Sequence, residues 1–144
     1  MTEQDTVRLL RECDAGIKMG VDAINNVFDS VESDGLKTRL NACRREHEKL
    51  KEESEKLLES YNVGSKPPAP ISDAMAKMKT KFEVMMDPTD ETIADLMTDG
   101  CNMGVKSLSR YLNMYKAADE KSKDITKRLI SLEEKLSKDI QGYL

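Results

Sequence analysis

Tryptophan is missing from this sequence, and four tyrosines and two phenylalanines bring the aromatic share to only 4% of 144 residues. All-β domains draw far more heavily on aromatic and β-branched residues, so the shortage argues against a sheet protein. Proline (four) and glycine (seven) are also scarce and clustered, which leaves most of the chain free to run in long elements. The three cysteines, Cys13, Cys43 and Cys101, form an odd set with no C-x-x-C spacing. That set suits reduced thiols in a cytoplasmic protein better than an oxidised scaffold. No apolar run approaches the ~20 residues that span a bilayer. The opening Met-Thr-Glu-Gln-Asp lacks the basic and then apolar regions of a signal peptide. The expectation is a cytoplasmic chain without membrane contact.

Charge, in contrast, is plentiful at 35%, with 23 Lys and Arg against 27 Asp and Glu and a net charge of −4. The signs are mixed along the chain. Without a basic stripe there is no reason to expect nucleic acid as a partner, and without an acidic block no reason to expect a solvated tail. Glu, Lys, Leu, Met and Ala all favour helix. The length fits one domain with a real core.

Hydrophobic spacing organises the chain into two helical hairpins. The first long helix is expected from Thr6 to Val31, because Leu10, Cys13, Ile17, Gly20, Ile24, Val27 and Val31 alternate steps of three and four, which keeps them on one face. Ser33-Asp34-Gly35 breaks it. The second runs from Leu36 to Tyr61 on Leu36, Leu40, Cys43, His47, Leu50, Ser54, Leu57 and Tyr61. Gly64 reads as a left-handed C-cap, and Pro67, Pro68 and Pro70 stop the helix from resuming. Ser72 can cap a short helix reaching Met86, with Ile71, Met75, Met78, Phe82 and Met85 turned inward. The third long helix is expected from Thr89 to Ala118 and the fourth from Lys121 to the end. Domain organisation is therefore a single unit, 1–144: a hairpin at 6–61, a crossover at 62–88 and a second hairpin at 89–144. The crossover, with its own helix, is long enough to return along a helix of roughly 39 Å. The hairpins also echo each other, Cys13-Asp-Ala-Gly16-Ile17-Lys18 in the first and Cys101-Asn-Met-Gly104-Val105-Lys106 in the second.

This all-α arrangement, a four-helix bundle with a helix-bearing crossover between its second and third helices, resembles the ferritin-like superfamily, in particular small bacterial members made of two hairpins. Metal-binding members carry an inward Glu on the first and third helices and Glu-x-x-His on the second and fourth. By that resemblance His47 stands where a histidine ligand would, but Arg44 precedes it by three residues where the motif has Glu. On the fourth helix Leu136 takes the matching depth, and the Glu133 that precedes it is followed by no histidine. Pairing each hairpin about its turn sets Gly20 opposite His47 and Gly104 opposite Leu136, so no carboxylate is expected at either depth. The expectation is no metal site, no cofactor and no enzymatic activity.

Gly16-x-x-x-Gly20 and Gly100-x-x-x-Gly104 place four glycines inside helices, each costing about 0.8–1 kcal/mol relative to Ala. Close helix approach, a homodimer contact, or a small internal cavity would each offset that cost. Cys43 and His47 share a face four residues apart, and Cys13 pairs with Ser54. Candidate binding residues in the interior are thus His47, Cys43, Gly20, Gly16 and Gly104. The leading functional expectation is a non-catalytic helical protein acting through protein–protein contacts, with a second copy of itself as a homo-oligomer or with another protein. The alternative is an altered metal or small-ligand binder using the interior around His47.

Overall fold

The computed structural model describes residues 2–63, 73–83, 85, 86 and 88–144, leaving aside the side chains of 73–75. It is all-helical: α1 (Thr2–Phe28), α2 (Asp34–Ser60), α3 (Asp73–Glu83), α4 (Asp90–Met114) and α5 (Glu120–Asp139), followed by a 3₁₀ turn, Gln141–Tyr143. The expected roles of Gly64, Pro67, Pro68, Pro70, Ile71, Ser72 and the Met75 side chain fall outside the described residues.

Caps fix most of the helix ends. Ser33 accepts a hydrogen bond from the Leu36 amide at 3.3 Å and starts α2 at Asp34, two residues before the expected Leu36, because a side-chain acceptor outweighs the poor propensity of Gly35 in a first turn. Thr89 and Thr92 form a reciprocal capping box at the head of α4. Asp119 caps α5 through the Ser122 amide at 2.8 Å. At the end of α2 the left-handed residue is Asn62, with φ 59°. Its amide and that of Val63 return to the Glu59 and Leu58 carbonyls at 2.9 and 3.1 Å, closing a Schellman motif. Asn tolerates that conformation, so the helix ends ahead of the glycine expected to end it.

Helix α1 packs against α2 and α4, α5 packs against the same two, and α1 also meets α5 across the core. Hydrogen bonds at the two ends give the directions. Asp90 at the head of α4 accepts from the Glu32 and Ser33 amides, both at 2.9 Å, so α2 and α4 begin at the same end. At the other end Asp119 receives the Tyr61 hydroxyl at 2.9 Å, and its amide donates to Thr6 Oγ1 at 2.8 Å. The link between α2 and α4 therefore starts at one end and finishes at the other. Within it α3 lies against α1 and α4, burying Met78 and Phe82 as expected while Met86 is exposed. No helix among the described residues is long and apolar enough to cross a membrane.

Two buried clusters fill the interior. One gathers Ile24, Val27, Leu36, Leu40, Ile93, Met97, Leu136 and Ile140, with Met78 and Phe82 from α3. The other gathers Leu10, Ile17, Leu50, Leu58, Leu108, Ile125 and Leu129. On every long helix the boundary between them falls at one depth: around Gly20, His47, Gly104 and Glu133.

Candidate functional site

That boundary is a polar layer. His47 is 1% exposed, and both of its ring nitrogens are engaged. Nδ1 lies 2.8 Å from the Cys43 carbonyl one turn earlier, and Nε2 lies 2.9 Å from Glu133 Oε1 on α5. The Cys43 thiol is 3.4 Å from Nδ1. Burial alone would push the histidine pKa down. The bonds to Cys43 and Glu133 outweigh it and raise the pKa to about 11, so the layer holds an imidazolium–carboxylate pair at neutral pH.

This pair corrects the expectation that no carboxylate reaches the depth of His47. Glu133, not Leu136, faces Gly104: a Cβ built on Gly104 would lie 3.5 Å from Glu133 Oε2. The reason is the second turn. Helix α4 ends at Met114, four residues before the expected Ala118, so the turn's midpoint moves toward the N-terminus. Each residue of that move slides the facing partner by two. Gly20 does lie against His47, where a Cβ would come within 3.1 Å of Nε2. The Cys13 thiol lies 3.0 Å from Thr126 Oγ1 on α5, and the Ser54 hydroxyl donates to the Lys51 carbonyl. The thiols of Cys13 and Cys101 are buried, and burial pushes both up, Cys13 to about 12, which keeps them protonated and weakly nucleophilic. Among the described residues no three His, Cys, Asp or Glu side chains are grouped to hold a metal ion.

Above the polar layer, between α1 and α4, lies a partly enclosed cleft of about 500 Å³. Gly16, Gly20, Gly100 and Gly104 all line it, and Glu133 belongs to its floor. Met78 and Phe82 of α3 close one end, with Met78 Cε 3.6 Å from where a Cβ of Gly100 would be. Of the five residues singled out in the sequence, Gly16, Gly20 and Gly104 border the cleft, whereas His47 and Cys43 do not line it. Glu133, Phe82 and Met97 also border it; the signal that could have found Glu133 was its place three residues before Leu136 on the inward side of α5.

Searches against protein-family models, curated proteins and solved structures find no match to the chain.

Proposed function

We propose that this chain is a non-catalytic binding protein of ferritin-like build, in which the cleft between α1 and α4 takes a small, largely apolar molecule. One observation carries the reading: all four mid-helix glycines line the same cleft. Four such glycines cost roughly 3–4 kcal/mol in helix propensity. Close packing does not recover that cost at every one of them, since the nearest atom to a Cβ on Gly16 is 4.0 Å away. What they have in common is the space they leave. The volume and the Met and Phe walls suit a small ligand, and the antiparallel neighbours joined by an end-to-end link support the ferritin-like build.

The test is saturable binding of a neutral apolar dye, Nile red, followed by fluorescence. The expected result is binding at one equivalent per chain, lost in a Gly16→Leu/Gly104→Leu variant that keeps its helical circular dichroism. Undiminished binding in that variant would remove the cleft from the reading. A homodimer formed through the glycines is the competing use of the same surface, a helix of a second copy replacing the ligand. Sedimentation of the wild type distinguishes it, because a dimer that the dye dissociates would support contact between copies over ligand binding.

A further inference from the structure

The cleft floor carries one feature that an apolar container does not need. Glu133 Oε1 is held by His47, while Oε2 is turned toward Gly104. The carboxylate lies between two glycines: Oε1 would be 4.0 Å from a Cβ on Gly20, and Oε2 3.5 Å from one on Gly104. Its side chain keeps 14% exposure at the bottom of the cleft. Any larger residue at either position would cover it. Two facing helices have thus given up side chains at the depth where a buried acid would otherwise be sealed.

The charges around it select the sign of what binds. Glu12, Asp22 and Glu83 border the cleft together with Glu133, against Lys18 and Lys79. Both lysines are already held by carboxylates, Lys18 by Asp14 at 2.8 Å and Lys79 by Glu83 at 3.9 Å. An anionic head group would meet Glu12 and Asp22 beside the paired Glu83 and Glu133, and cations that are already held. A cationic donor would meet a carboxylate fixed by His47 and flanked by the Cys101 thiol, with Oε2 on the Gly104 side, in partly desolvated surroundings where a charge-assisted hydrogen bond is strongest.

We infer that the ligand is an amine: a protonated nitrogen that donates to Glu133 Oε2, joined to an apolar body lying along Met78, Phe82, Met97 and Leu108. This rests on the cleft reading above and adds to it the chemistry of the head group.

Three probes with one body and different heads test it by calorimetry: phenylbutylamine, phenylbutanol and phenylbutanoate. The expected order is amine over alcohol by about tenfold, with the carboxylate weakest. Glu133→Gln should bring the amine down to the level of the alcohol. Should Glu133→Gln fail to fold, Gly104→Ala decides, since its Cβ would stand in ordinary contact with Glu133, 3.5 Å from Oε2, and it too should erase the advantage. An amine that binds no better than the alcohol, or whose advantage survives both substitutions, overturns the head-group assignment while leaving the cleft in place. If none of the three binds or displaces Nile red, the assignment and the cleft reading fall together.

Discussion

A methyl group added at residue 20 would sit 3.1 Å from His47 Nε2, and one added at residue 16 would meet nothing nearer than 4.0 Å. The same substitution should therefore have opposite signs one turn apart. Gly16→Ala should stabilise by about 0.5–1 kcal/mol, the propensity gain alone. Gly20→Ala gains the same propensity but crowds a ring pinned at both nitrogens, which can yield only by lengthening a bond to Cys43 or Glu133. A net loss of about 1 kcal/mol is expected, read from paired urea melts. His47 itself yields a pH signature. Its pKa is raised on folding, so the stabilisation it provides is complete below about 6.5 and is lost as pH rises toward about 11. The wild type should exceed His47→Gln by about 1–3 kcal/mol near neutrality, and the gap should shrink steadily in alkaline melts. A gap that does not change with pH would mean the ring is not charged. His47→Leu should be destabilising too, because it leaves Glu133 Oε1 without a partner.

At the scale of the helices, stability is concentrated in a few caps that also join elements. Asp119 is the clearest case: one oxygen takes the Ser122 amide and the other the Tyr61 hydroxyl, linking the start of α5 to the end of α2. Burial works against its charge, yet these bonds hold its carboxyl below the usual range. Its contribution is accordingly present above the ordinary carboxylate range and lost on acidification. Asp119→Ala should cost about 1–2 kcal/mol at neutral pH and progressively less in acid, a trend that thermal melts across pH would follow. The helices themselves were legible in the sequence, since the three-and-four spacing of Leu10, Ile17, Ile24 and Leu36, Leu40, Leu50 depends only on helical geometry. Three of their ends were legible to within a residue, with α2 stopping at Ser60 and α4 and α5 starting at Asp90 and Glu120, but the end of α4 at Met114 was not, because hydrophobic spacing does not register where backbone groups are capped.

Across the whole molecule, the misplaced end of α4 had one large consequence. A turn read a few residues late moved Glu133 off the level of His47 and concealed the ion pair, although His47 against Gly20 was already evident. The purpose of the glycines was equally out of reach, because packing, dimer contact and cavity share one sequence signature. The resulting layer splits the interior into two apolar clusters, with a charged pair bonded in only one register of α2 against α5. Sliding either helix by a turn would bring a charge into an apolar cluster at a cost of several kcal/mol.

Asp90 and Thr6 each accept a backbone amide from the hairpin to which they do not belong, as does Asp5 from the Ala117 amide at 3.1 Å. These amides sit in turns, outside any helical ladder, so nothing within their own hairpin shields them from deuterium. Their protection requires that the two halves be joined. In a hydrogen-exchange experiment, Glu32 and Ser33 at one end and Ala117 and Asp119 at the other should exchange with a common opening free energy. Helical amides midway along α2 should outlast them if the hairpins separate before they unravel. Four turn amides thus become a built-in reporter of the seam between the halves, and a denaturant series read at those positions alone would give the free energy of docking.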